Sequence, residues 1–363
     1  MKPIALISFL LITLALAQGQ PSNAPVDFAK ARLLHERRQR GESLTSAEVA
    51  YLDQAIQIRN AGAGAGGRAL NQRKAPEHLT PLTDLSASAR YEGEDGGLYG
   101  GGQNIPPAAH RRAAEAELAK IRPRNGTGEP DENGVIGFVA ISMSNATQEF
   151  SRFKQLADNS PLKSPQVVIV DCAQGGQAMA EWAPPTARPW GEARRRLAIA
   201  NVSPLQVQAV WIKLANKAPA GSLAEHAHQL ERDTLAVLQN ARAMFPNLRI
   251  AYLGSRTYGG YGGGGLNPEP YAYESAFAAR WLIERQMKGD PELAGGKCPI
   301  LLWGPYLWAE GAKGRKIDQL IWERSDFGPD GVHPSDSGRQ KVAGLLLDFL
   351  TTDSLTKPWF RKK

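Results

Sequence analysis

The chain has 363 residues, 42% of them hydrophobic and 22% charged, a balance that excludes wholesale disorder and suits one large globular domain with an appendage. Its net charge of +7 would attract acidic polymers, but the basic clusters "RRQR", "RRR" and "RKK" are scattered rather than interleaved with aromatics. A solvated surface is therefore the better reading, and nucleic acid is not an expected partner.

The first twenty residues, "MKPIALISFLLITLALAQGQ", couple Lys2 to an apolar run from Ile4 to Leu16 and end in Ala15-Leu16-Ala17. This is the pattern of a signal peptide, residues 1–17, cleaved after Ala17. The run is short for a membrane span, no Cys follows it to be lipidated, and no second long apolar run occurs. The expectation is a secreted or periplasmic protein without stable membrane insertion.

Residues 18–75 carry two helical patterns, "VDFAKARLLHERRQRG" and "SLTSAEVAYLDQAIQIRN", the second opened by the capping sequence "TSAE". "AGAGAGG" at 61–67 has the composition of a flexible linker, so this part reads as a helical hairpin outside the core. Residues 76–133 lack periodicity and are rich in Gly and Pro, as in "YEGEDGGLYGGGQNIPPAAH" at 91–110. They read as a long ordered loop, whose glycine-rich part at 96–104 is expected near the functional cleft.

From 134 to 355 short apolar runs alternate with helical segments. The runs are "GVIGFVAIS" (134–142), "QVVIVD" (166–171), "QVQAVWIK" (206–213), "LRIAYLG" (248–254) and "PILLWG" (299–304). Runs without polar alternation, separated by helices, predict an α/β fold with a roughly five-stranded parallel sheet covered on both faces. Function is then expected at the C-terminal strand ends. Cys172 follows the second run and Cys298 precedes the fifth, so they fall on opposite edges and are expected to be free, buried thiols.

The strand-end loops hold the chemistry. Ser144 follows the first run at a helix start, where it offers a hydroxyl beside helix N–H groups; equally, Ser144 or Asn145 simply caps that helix. No G-x-G-x-x-G and no Walker sequence is present, which excludes dinucleotide and P-loop readings. Gly175 and Gly176 follow the second run, either as a bare turn or as a backbone oxyanion donor. Lys213 and Asn216 lie at the end of the third, as polar turn residues or side-chain donors. Asp330 and His333, in "DFGPDGVHPSDSGRQ", stand ahead of the last helix. His226 and His228, two apart on a helix, face different sides and do not share a metal.

Taken together, this order of Ser, Gly, Asn and Asp-x-x-His resembles the SGNH (GDSL-type) hydrolase family over about residues 134–352. "SMSN" is similar to the family's first block, especially the G-Q-S-N variant of its carbohydrate acetylesterases. "AQGGQAMAEW" resembles the Gly-Gly-x-x-x-x-x-Trp turn of the sialate O-acetylesterase-like branch, and "DGVHPSDSGRQKVA" the last block. The chain departs from the family at Ser142, where the first block carries Gly, and at "KLAN" in the third block, where Asn216 or Lys213 is the matching donor. The resemblance implies a flavodoxin-like three-layer sandwich and a Ser144–His333–Asp330 catalytic triad. It also implies an oxyanion hole from the Ser144 and Gly176 N–H groups with Asn216 or Lys213, and requires neither metal nor cofactor. The implied activity is removal of O-acetyl groups from carbohydrate. Alternatives are a short-chain ester or lipid esterase, or a non-catalytic glycan-binding protein on a degenerate scaffold. Tyr258, Tyr261, Tyr271, Trp303, Tyr306 and Trp308 either stack on sugar rings or pack the long loops.

Overall fold

A computed structural model of the protein describes residues 26–39, 43–52, 54–55, 73–262 and 266–362. The signal segment and the 61–67 linker lie outside the described residues. The chain divides into two units, residues 1–68 and 69–363.

In the first unit, α1 spans Phe28–Gln39 and residues 46–52 form a second helical stretch. Ala31, Leu52 and Ala55 bury one another, and Arg37 Nη1 donates to Glu48 Oε1 at 2.6 Å. The capping sequence works as written: the Glu48 N–H donates to Thr45 Oγ1 while Glu48 Oε2 accepts from the Thr45 N–H.

The second unit is built on five parallel strands, β1 (Ile136–Ile141), β2 (Val167–Asp171), β3 (Val207–Lys213), β4 (Ile250–Gly254) and β5 (Ile300–Trp303), in the order β2-β1-β3-β4-β5. That is the flavodoxin-like order, and the α/β expectation holds. The runs lack polar alternation because both faces are covered. Phe138, Ala140, Trp211 and Tyr252 bury toward α3 (Ser144–Asp158) and α8 (Asp336–Thr352). Val139, Ile141, Val210 and Leu253 face the opposite way. There they meet α5 (Arg188–Ile199), α6 (Leu223–Met244) and α7 (Tyr271–Met287), while the short helices α4 (Met179–Trp182) and α9 (Lys357–Phe360) close corners. Cys172 and Cys298 are free and buried, on the two outer strands' sides of the sheet.

The region read as a long loop contains a helix, α2 (Ala108–Leu118). Its inward face is only His110, Ala114 and Leu118, one residue per turn, too weak an apolar stripe to announce itself among arginines and glutamates. His110 is held by the sheet: its Nε2–H donates to the Leu301 carbonyl at 2.7 Å, and burial pushes its imidazolium pKa down. Residues 73–104 are ordered by α7. Glu274 accepts from Arg73, from the Tyr91 hydroxyl at 2.5 Å and from His226 Nε2–H at 2.5 Å, and Arg280 pairs with Glu94 and Asp95. The glycine-rich loop at 96–104 packs on Leu85, Ala87 and Glu284 and reaches the end of β5, where the Leu98 carbonyl and the Tyr99 hydroxyl accept from Trp303; among the described residues none of its hydrogen bonds goes to Ser144, Asp330 or His333.

Candidate active site

Chain geometry, not side-chain attraction, first brings the polar residues together. A parallel sheet sends every strand end to one rim, and the loops after β1, β2 and β3 interlock there. The Gln174 N–H donates to the Ser142 carbonyl at 2.9 Å and the Met179 N–H to the Ala215 carbonyl at 2.9 Å. Met143, Ala178 and Ala215 pack as one small apolar cluster. Ser142, where the resembled family carries Gly, has a structural use: its hydroxyl donates to the Lys213 carbonyl at 2.5 Å and ties the ends of β1 and β3.

Ser144 is the first residue of α3, and Met143, with no side-chain capping bond, precedes it. Neither Ser144 nor Asn145 caps that helix. Ser144 Oγ instead lies 2.8 Å from His333 Nε2, and Asn145 Nδ2 donates to the Val332 carbonyl at 2.7 Å, lacing the helix start to the distant His333 loop. Asn145 was legible only as a cap; no local pattern points to a bond across 187 residues.

The His333 loop is a turn wound on Asp330. Asp330 Oδ1 accepts from the backbone N–H of Val332 at 3.0 Å and of His333 at 2.9 Å, an Asx-type turn. Asp330 Oδ2 lies 2.6 Å from His333 Nδ1. Gly331 has φ +68°, and a Cβ there would sit 1.9 Å from the Tyr261 carbonyl oxygen, so the turn accepts only glycine. Burial pushes the Asp330 carboxyl up, but the bonds from His333 and the two backbone N–H groups outweigh it and hold the carboxyl at about 2. An ionised carboxylate only accepts, so the His333 Nδ1–H donates to Asp330, and Nε2 is the ring nitrogen that faces Ser144 Oγ. The two side chains remain 28% and 27% exposed, open to a small reactant.

Gly176, with φ +74°, stands on the turn two residues before Ala178, and nothing lies within 4 Å of where its Cβ would be. Among the described residues the N–H groups of Ser144 and Gly176 have no hydrogen-bond acceptor. Lys213 and Asn216 are placed differently. The Lys213 ammonium is fully buried and donates to both oxygens of Glu149 at 2.6 and 2.7 Å. Burial lowers its pKa to about 8 against the pull of Glu149. Asn216 donates through Nδ2 to Asp233 at 2.5 Å and accepts the Ala180 N–H at 2.9 Å on its Oδ1. Both side chains thus hold scaffold partners, Lys213 with a sealed ammonium and Asn216 with a second Nδ2–H left over among the described residues.

Of the six aromatics singled out at the rim, Tyr271, Trp303, Tyr306 and Trp308 are buried and pack the loops. Trp303 Nε1 donates to the Leu98 carbonyl at 2.6 Å and Trp308 Nε1 to Glu269 at 2.8 Å. Only Tyr258 and Tyr261 keep partial exposure. No group of three or more His, Cys, Asp or Glu is arranged for a metal ion among the described residues, and none of their helices is long and apolar enough to cross a membrane.

No family model matches the chain, and no curated protein matches it in sequence. Solved structures similar to it include a Bacteroides fragilis protein assigned as an acylhydrolase (14% identity, 69% of this chain and 100% of that one, TM-score 0.36). Another is the periplasmic domain of a lipopolysaccharide acetyltransferase of Salmonella ser. Paratyphi A (12% identity, 67% and 95%, TM-score 0.33). A third is a protein of Arabidopsis thaliana (15% identity, 56% and 67%, TM-score 0.32).

Proposed function

We propose that the chain is a serine esterase of the SGNH type, exported, that removes O-acetyl groups from carbohydrate. The observation that carries this reading is the continuous relay from Ser144 Oγ through His333 Nε2 and Nδ1 to Asp330 Oδ2, at 2.8 and 2.6 Å, on the C-terminal rim of the sheet.

The mechanism follows from the relay. As Ser144 Oγ attacks the ester carbonyl carbon, its proton passes to His333 Nε2, and the carbonyl electron pair moves onto oxygen. Asp330 holds the imidazolium in orientation and stabilises its charge. The Ser144 and Gly176 N–H groups, unengaged among the described residues, stabilise the oxyanion, helped by the positive end of the α3 dipole. The tetrahedral intermediate then collapses. The carbon–alkoxy bond breaks, His333 returns the proton to the leaving sugar hydroxyl, and Ser144 is left acetylated. Water repeats the sequence, giving its proton to His333, releasing acetate and restoring Ser144. Lys213 and Asn216, the candidate side-chain donors, act in this scheme as supports for Glu149 and Asp233.

The engagement of Lys213 and Asn216 with scaffold partners also supports a second reading, a glycan-binding protein without turnover. Acetate release from p-nitrophenyl acetate and from acetylated xylan separates the two. The esterase reading expects release that Ser144→Ala and His333→Ala abolish. Release that survives both substitutions rules out the relay as the catalyst. No release at all, with glycan binding intact in Ser144→Ala, establishes the binding protein.

A further inference from the structure

One loop away from His333 lies a cavity of about 330 Å³, lined by the segment after β4, the segment after β5 and the approach at Ala75–Leu79. It falls at the small end of ligand-sized cavities, roughly 300–1,000 Å³. Gly262 belongs both to its wall and to the packing of the His333 loop: a Cβ on Gly262 would lie 2.8 Å from Val332 Cγ2. The cavity and the relay therefore share a wall.

Its lining is specific. Three carboxylates, Glu77, Glu269 and Glu310, face it with no lysine or arginine in the lining, and the aromatic surface is Tyr258 against Trp308. Glu269 accepts on Oε1 from the Gly259 N–H at 2.7 Å and Trp308 Nε1 at 2.8 Å, and on Oε2 from the Tyr273 N–H at 3.0 Å. Glu310 accepts on Oε1 from the Leu79 N–H at 2.7 Å and on Oε2 from Lys313 at 3.0 Å. A carboxylate offers about four lone-pair sites, so each retains acceptor capacity on Oε2. The Tyr258 hydroxyl has no hydrogen-bond partner among the described residues. It fits against Gly260, where a Cβ would come within 2.2 Å of the phenolic oxygen.

Carboxylate acceptors beside an aromatic ring suit a ring-shaped ligand that brings many hydroxyl donors and no negative charge. An anionic sugar would set its carboxylate against Glu77, Glu269 and the Lys313-paired Glu310 in a partly desolvated site. We propose that this cavity is the subsite for a neutral pyranose unit of the substrate's alcohol part, stacked on Tyr258 and hydrogen-bonded to its hydroxyl, and that it excludes uronic and sialic acid units. The inference rests on the carbohydrate-esterase reading for its place in a reaction, but its test needs no turnover.

Isothermal titration of full-length Ser144→Ala protein with xylotetraose, cellotetraose and tetragalacturonate is the test. Binding of at least one neutral tetrasaccharide is expected, at least tenfold tighter than tetragalacturonate, and at least tenfold weaker after adding Tyr258→Ala. No neutral binding, equal or tighter tetragalacturonate binding, or a dissociation constant unmoved by Tyr258→Ala overturns the subsite. Thermal melting checks that Tyr258→Ala is folded; where it is not, Tyr258→Phe takes its place. Loss of the hydroxyl alone is expected to weaken neutral binding about fivefold, an effect of about 1 kcal/mol, and an unchanged constant overturns the proposal. Failure of binding with acetate release intact leaves the esterase reading standing. Binding without acetate release leaves the subsite and removes the esterase.

Discussion

Two polar clusters meet at the same edge of the sheet. Ser144, His333 and Asp330 join a helix start to a loop almost two hundred residues later. Lys213 and Glu149 join the end of β3 to the second turn of α3. Their distances are alike, but their surroundings are not. The Lys213–Glu149 pair is sealed, at 0% and 1% side-chain exposure, and the ammonium donates to both carboxylate oxygens. In the other cluster the imidazole and the carboxylate are each more than a quarter exposed, and His333 keeps a nitrogen for the serine. A short contact between charged groups therefore says little about role. Access and an uncommitted valence separate a site from a brace.

The comparison is broken most directly by deleting one member of each cluster. On the esterase reading, Ser144→Ala or His333→Ala in the open cluster is expected to lower acetate release by about 10⁴-fold or more, with the urea unfolding midpoint of Ser144→Ala nearly unmoved. In the sealed cluster the order reverses. Lys213→Met leaves Glu149 buried and unpaired and should cost about 3–5 kcal/mol in urea unfolding. Lys213→Met combined with Glu149→Leu should recover most of that loss. A Lys213→Met protein of unchanged stability would show that the pair is not the brace described.

Proton linkage sharpens the contrast. Asp330 is held at about 2 in the fold, below the ordinary aspartate value of about 3.9. A carboxyl depressed on folding adds stability that is fully present above its unfolded pKa and is lost as pH falls through its folded one. The wild type should therefore lose up to about 2 kcal/mol between roughly pH 4 and 2 that Asp330→Asn does not lose, read from urea midpoints across that range.

Asp171, at the end of β2, should give the smallest effect and the opposite sign. Burial raises its carboxyl to about 6 against the hydroxyls of Thr147 and Ser151. The folded state then binds the extra proton, and its stabilisation fades as pH climbs from about 4 through 6. Asp171→Asn should raise stability at pH 8 by about 1 kcal/mol, and no gain there would mean that solvent or Arg196 already balances the charge.

Several features were legible before the structure. The five strands were, because parallel strands buried on both faces must be continuous apolar runs. So was the meeting of Ser144 with Asp330 and His333 at one rim, since each stands just after a strand or just before the last helix, and the topology sends those loops to the same side. Helix α2 was not legible: its burial depends on three small contacts, His110 among them, against strands that follow it by over a hundred residues. The fate of the aromatics was also hidden, since Trp303, ahead of Gly304 and Pro305, and Trp308, five residues on, read alike whether they point to solvent or into the loops.

The amino-acid sequence by itself determined the architecture and the identity of the polar residues at each strand end, because hydrophobic periodicity and turn chemistry are local properties. Only the tertiary structure decided which of those residues were spent on one another. It put Lys213 on Glu149, Asn216 on Asp233, Asn145 on the Val332 carbonyl, and left Ser144 facing His333. Those pairings hang on burial and on distances between segments far apart in the chain, which no local pattern records.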